Sequence, residues 1–136
     1  MPPSIYDMRE MGGMMRVKRI NRFRLRVYGE QEDALKNICY MSAVLWNELN
    51  YVRRQMFFKK CFRWDRGVEE LYNSFKKILG SAIADEVIRK NDEAWRSFFK
   101  LMKMLREHRL PPHIRRVCPP GYWKDRKSGK KRLMTL

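Results

Sequence analysis

Histidine and cysteine are scarce in this chain, two and three respectively among 136 residues. Cys39, Cys61 and Cys118 are odd in number, widely spaced and form no C-x-x-C pair, so they supply neither a disulfide framework nor a zinc site. His108 and His113 flank the Pro111-Pro112 pair and read as solvated loop histidines, so no metal or other cofactor is expected. Long apolar runs are missing too: nothing approaches the roughly 20 residues of a spanning helix. The Met1-Pro2-Pro3-Ser4 opening leads into acids rather than a signal peptide's apolar stretch. There is no internal repeat and no low-complexity linker. These absences point to a soluble protein of the cytoplasm with no membrane partner.

Acid is the remaining deficit. Fifteen Asp+Glu face 31 Lys+Arg, a formal net charge of +16. Such an excess opposes folding by self-repulsion unless a polyanion neutralises it, and nucleic acid is the commonest one. An anionic membrane surface comes next, but it requires an apolar anchor or a helix with its cations confined to one face. Hydrophobic residues at 44% and aromatics at 12% are enough for one packed domain and are foreign to a disordered tail.

Residues 1–14, rich in Met, Pro and Gly, read as a loose leader. Within 15–29 the pattern alternates. Phe23, Leu25 and Val27 fall on one face, with Arg22, Arg24 and Arg26 on the other, which predicts a half-buried strand with an arginine face. Gly29 breaks it, and Glu30-Gln31-Glu32-Asp33 places acids where a helix's positive end belongs.

A helical unit is predicted over 30–109. The first helix runs from Glu30 to about Lys60, with Leu35, Ile38, Cys39, Ser42, Leu45, Trp46, Leu49 and Val52 as its apolar stripe. Its basic end, Arg53, Arg54, Lys59, Lys60 and then Arg63, carries more cations than the dipole requires and reads as a phosphate-facing patch. Asp65-Arg66-Gly67 forms a turn. A short helix follows with Leu71, Tyr72, Phe75, Ile78 and Leu79 on its apolar side, ended by Gly80. Ser81 is the expected N-cap of a third helix whose stripe is Ala84, Val87, Ile88, Trp95, Phe98, Met102 and Leu105. Aromatics at that spacing belong to a core before they belong to a base-stacking surface.

Leu110-Pro111-Pro112 should stop this helix. Residues 110–136 then form a Pro-rich basic segment. Arg115 and Arg116 lead to Pro119-Pro120-Gly121, followed by Tyr122, Trp123, Lys124, Arg126 and Lys127 within a basic hairpin that turns at Ser128-Gly129. Cations interleaved with Tyr122 and Trp123 are the clearest direct nucleic-acid signal in the chain; a solvated basic hairpin with its aromatics packed inward is the alternative. Leu133-Met134-Thr135-Leu136 reads as a strand just starting.

Several of these pieces occur together, in this order, in one family. The basic strand, the Tyr28-Gly29-Glu30-Gln31-Glu32 junction and Leu45-Trp46-Asn47 resemble the N-terminal portion of the TnpB (OrfB) proteins of IS200/IS605 and IS1341-like insertion sequences. So do Ala94-Trp95-Arg96-Ser97-Phe98-Phe99 and Pro119-Pro120-Gly121-Tyr122-Trp123-Lys124-Asp125, the latter in the form found in archaeal-type members. Gly29 stands where the family usually has proline, and Asp85 where glutamine is common.

The resemblance implies a transposon-encoded RNA-guided DNA endonuclease. A barrel strand would be followed by recognition helices, a region also described as a helix-turn-helix, and then by returning barrel strands. The implied fold is α+β, mostly α: an N-terminal strand, a bundle of three to four helices and a C-terminal basic hairpin of a truncated barrel. The implied partners are a structured guide RNA and duplex DNA, with Trp64 and Ser81 at motif-reading positions. The family's RuvC-like nuclease domain and zinc ribbon have no counterpart here. Glu69, Glu70, Asp85, Glu86, Asp92 and Glu93 read as salt-bridged surface acids, so no catalytic residue is expected and a separate nuclease domain becomes a possible partner. The alternative is a stand-alone helix-turn-helix DNA-binding protein of a mobile element.

Overall fold

The computed structural model describes Arg26, residues 28–124 and Met134. Among these residues three helices pack against one another: α1 over Glu30–Phe58, α2 over Val68–Leu79 and α3 over Ser81–Arg106. Each pair is in contact. The described part is therefore mostly helical and contains no strand. Of the expected N-terminal strand only Arg26 and Tyr28 are described, both exposed and outside any strand; Arg22 and Arg24 lie outside the described residues, as do Arg126, Lys127 and the rest of the hairpin beyond Lys124.

The helices form where periodicity and end chemistry agree. Glu30, Glu32 and Asp33 occupy the first turn of α1, against the partial positive charge of its exposed N–H groups. Ser42, Ala43, Leu45, Trp46, Leu49, Asn50, Arg53 and Met56 are its buried positions. Phe75 and Leu79 of α2 and Ala84, Val87, Ile88, Asn91, Trp95 and Phe98 of α3 face them. One cluster joins Ala43, Leu45, Trp46, Phe75, Leu79, Ala84 and Val87 with Met134. The Met134 N–H also donates to the Cys39 carbonyl at 3.2 Å, bringing that residue back onto α1.

Helix ends depart from expectation in small, physical ways. Ser81 is not the N-cap of α3: Gly80 holds that position and is also the C-cap of α2. At φ 85° and ψ 155° Gly80 adopts a backbone that glycine reaches without strain, so two helices meet at a single residue. Nor do the prolines stop α3, which ends at Arg106 in a Schellman turn. His108 takes φ 58°, its N–H donates to the Leu105 carbonyl at 3.2 Å, and the Arg109 N–H donates to the Met104 carbonyl at 2.8 Å.

The C-terminus of α1 repeats this geometry. Lys60 takes φ 59°, the Lys60 N–H donates to Phe57 at 3.0 Å and the Cys61 N–H to Met56 at 2.9 Å. Non-glycine residues pay about 1–2 kcal/mol for this conformation. His108→Gly should therefore raise stability by about 0.5–1 kcal/mol after glycine's extra unfolded-state entropy is deducted, which urea unfolding would measure.

Candidate nucleic-acid interface

Two rows of α1 carry polar side chains with different duties. The inward row continues the apolar stripe of Trp46 and Leu49 with Asn50, Arg53 and Met56. Arg53 is 1% exposed. Its Nη1 donates to Asn91 Oδ1 at 2.8 Å, its Nη2 donates to the Trp64 carbonyl at 3.3 Å, and the same Nη2 lies 2.6 Å from Asp92 Oδ1. Burial lowers the Arg53 pKa from its usual value, and the Asp92 charge opposes that shift. A guanidinium nonetheless stays protonated. Arg53 Nε and Asp92 Oδ1 have no aligned hydrogen-bond partner among the described residues, so charge and proximity hold the ion pair.

Asn50, fully buried, extends this network to the C-terminal segment. Its Oδ1 accepts from Trp95 Nε1 at 2.9 Å and, at 3.5 Å, from Asn91 Nδ2. Its Nδ2 donates to the carbonyls of Pro120 at 2.8 Å and Gly121 at 3.2 Å.

Donors from both rows clamp the same segment. Trp46 Nε1 donates to the Gly121 carbonyl at 3.1 Å, and Arg54 Nη1 to Pro120 at 2.9 Å. Asn47 receives the Trp123 N–H on Oδ1 at 2.9 Å and returns a bond from Nδ2 to the Trp123 carbonyl at 3.3 Å. Prolines bring carbonyls without N–H groups, so donors had to come from side chains, and α1 provides them at positions 46, 47, 50 and 54. Residues 119–123 thus lie as a strap along α1. Trp123 is half-buried and meets Trp46 edge-on at 6.4 Å. Tyr122 lies under the Arg54 guanidinium at 5.5 Å, and Phe58 flanks that guanidinium at the same distance.

The exposed cations gather elsewhere. Lys59, Lys60, Arg63 and Arg66 stand on the loop between α1 and α2. This loop is fastened to α3 by rings: Phe62 lies 5.0 Å from Phe99 and 5.2 Å from Trp95, and Trp64 lies 5.9 Å from Phe99. On α3, Arg96, Lys100 and Lys103 fall at i, i+4 and i+7, all exposed. The Arg96 guanidinium sits 5.6 Å from the Trp64 ring, which joins the two groups into one surface. Arg63 makes only a loose 3.7 Å pair with Asp65, and Lys59, Lys60, Arg66, Lys100 and Lys103 have no acidic partner among the described residues.

The residues singled out by sequence therefore separate. Arg53 belongs to the core, Arg54 and Trp123 to the strap. Lys59, Lys60, Arg63 and Trp64 share the loop surface. Ser81 is exposed at the start of α3, and Arg115, Arg116 and Lys124 are exposed beyond it. Arg96, Lys100 and Lys103 were not among the expected binding residues; their one-face spacing without acids was the available signal. Of the acids expected to be salt-bridged, Glu86 and Glu93 are bridged by Arg89 on the surface of α3 and Asp92 faces Arg53, whereas Glu69, Glu70 and Asp85 have no salt bridge among the described residues. The Arg89 hydrogen bond lowers the Glu86 pKa. No group of histidine, cysteine and acid side chains among the described residues could hold a metal ion, and no described helix is long and apolar enough to cross a membrane.

No family model matches the chain, and no solved structure matches it. Among curated proteins, a TnpB-like protein, ORF457 of Acidianus two-tailed virus, is 42% identical to it over 120 residues. The alignment takes in 88% of this chain and 26% of that protein, so the chain spans about a quarter of its relative's length.

Proposed function

The chain belongs to the TnpB-like family over the residues that align, and on that premise we propose that it is the nucleic-acid-binding part of a TnpB-like transposon protein. It holds a structured guide RNA and duplex DNA in the cytoplasm of a prokaryotic host, and cleavage of DNA falls to a nuclease domain that this sequence does not contain. The observation that carries this reading is the surface on which Lys59, Lys60, Arg66, Lys100 and Lys103 stand free of acids among the described residues. On a protein of net charge +16, unpaired cations arranged around an aromatic-fastened loop are suited to successive phosphates. Arg63, Arg96 and Trp64 border the same surface, and Arg115, Arg116 and Lys124 add exposed charge. The IS200/IS605 affiliation and the barrel strands on either side of the helices belong to the same proposal.

The alternative, a stand-alone helix-turn-helix regulator, is less well supported. That motif joins its helices by a turn of 3–4 residues, whereas Gly80 alone separates α2 from α3.

The test is binding of the chain to structured RNA from the end of its own element, to a scrambled RNA and to duplex DNA, each across a salt series. Expected is a steep log–log salt dependence, about −0.9 per neutralised phosphate for duplex and about −0.7 for single strands, with preference for the structured RNA surviving at high salt. A slope near zero refutes the proposal. Equal, salt-sensitive binding to all three ligands would remove its guide-RNA component.

A further inference from the structure

A groove of about 180 Å³ opens beside the cationic loop, lined by Tyr51, Val52, Gln55, Met56, Lys59, Cys61 and Arg66. Four of these residues come from one face of α1, at 51, 52, 55 and 56, and Lys59 is the residue that caps its end. The loop closes the other side because two backbone positions turn it back. Lys60 at φ 59° delivers Cys61 to the helix end, and Gly67 at φ 77° brings the turn within 3.5 Å of Val52, measured from where a glycine Cβ would stand.

The chemistry of this lining is divided. Met56 and Val52 make an apolar floor, Tyr51 is 57% exposed, and the Gln55 amide offers both a donor and an acceptor. Lys59 and Arg66 stand at the rim without acidic partners among the described residues. An apolar slot beside an exposed tyrosine, with an amide at its edge and cations at its mouth, matches the parts of one nucleotide. The base face lies on the ring, the base edge meets the amide, and the flanking phosphates meet the cations.

We propose that this groove takes a single unpaired nucleotide of bound RNA, splayed out of its strand. RNA is the fitting source, because its loops and bulges present unstacked bases, whereas duplex DNA keeps its bases paired. The inference rests on the nucleic-acid reading above and adds to it a site for a base, where the exposed cations account only for phosphates.

The experiment uses the full chain and a hairpin RNA carrying iodouridine in its unpaired loop, beside the same strand annealed to its complement. Irradiation should crosslink the loop RNA within the Tyr51–Cys61 segment, and the duplexed strand should bind without that crosslink. Tyr51→Ala should weaken loop RNA about tenfold, within the range of one base–aromatic stack, and leave the duplex unchanged. Bound loop RNA should also slow alkylation of Cys61 and leave that of Cys118, which is exposed outside the groove, at its free rate. Tight binding with crosslinks elsewhere and an indifferent Tyr51→Ala overturns the groove alone. Failure of every RNA to bind overturns the functional proposal with it.

Discussion

Replacing Asn50 with leucine is expected to destabilise the protein by about 2–4 kcal/mol, most of it from one orphaned donor. Leucine keeps the branching of asparagine and is the bulkier residue, so no cavity opens: the loss is polar, with some overpacking added. The side chain is fully buried and serves four partners: Trp95 Nε1, Asn91 Nδ2 and the carbonyls of Pro120 and Gly121. These partners fare differently. The Gly121 carbonyl keeps the Trp46 indole and the Pro120 carbonyl keeps Arg54, while the Asn91 contact is long at 3.5 Å. The Trp95 N–H, on a side chain that is itself 0% exposed, has no second acceptor among the described residues. A buried unpaired donor costs about 1–3 kcal/mol, and the lost bonds to the strap add to it.

A double-mutant cycle isolates this effect. Trp95→Phe removes the donor at the cost of some packing, so Asn50→Leu combined with Trp95→Phe should cost about 1 kcal/mol less than the sum of the single changes. Additive costs would show that the indole bond contributes little. Limited proteolysis supplies a second readout: with one of its donors gone, the strap at 119–123 should be cut faster in Asn50→Leu than in the parent.

The same network shows which parts of the structure could be read from sequence. The helices were legible because their apolar stripes and terminal chemistry agree. The first was expected from Glu30 to about Lys60 and runs to Phe58, and Gly80 was expected between the second and third, where it stands. What escaped was the polar continuation of the stripe. Asn50, Arg53 and Asn91 sit at core-facing phases of their helices, but burial of such groups depends on partners 38 to 71 residues away, and no local pattern announces those. Arg53 was grouped with Arg54 because the two are adjacent in a basic run. On a helix, adjacent residues point about 100° apart, and the positions of Trp46, Leu49 and Met56 place Arg53 inward. The Pro119-Pro120-Gly121-Tyr122-Trp123 run and the Trp46-Asn47 pair each stand out as a motif, but only the fold brings them together as the two sides of one clamp.

The contrast between Arg53 and the loop cations leads to the second large effect. Arg53→Met should cost about 3 kcal/mol, the low end for breaking a buried ion pair. It leaves Asp92, a quarter exposed, without its counter-charge and Asn91 Oδ1 without its donor. Under conditions where the variant remains folded, the salt slope for RNA or duplex DNA should be the parent's, because a guanidinium 1% exposed releases no counterion on binding. The triple change Lys59→Ala, Lys60→Ala and Arg66→Ala should do the reverse. All three side chains are exposed and none pairs with an acid among the described residues, so stability should hold or rise slightly as self-repulsion falls. If each side chain neutralises one phosphate, the log–log slope should flatten by about 2 for single strands and closer to 3 for duplex, and affinity at moderate salt should drop by a factor of about 100. Measuring both variants in one salt series separates the two roles. A flattened slope in Arg53→Met would mean that the buried arginine reaches phosphate after all. An unchanged slope in the triple variant would remove the loop from the interface and leave the row of Arg96, Lys100 and Lys103 on α3 as the surface to test.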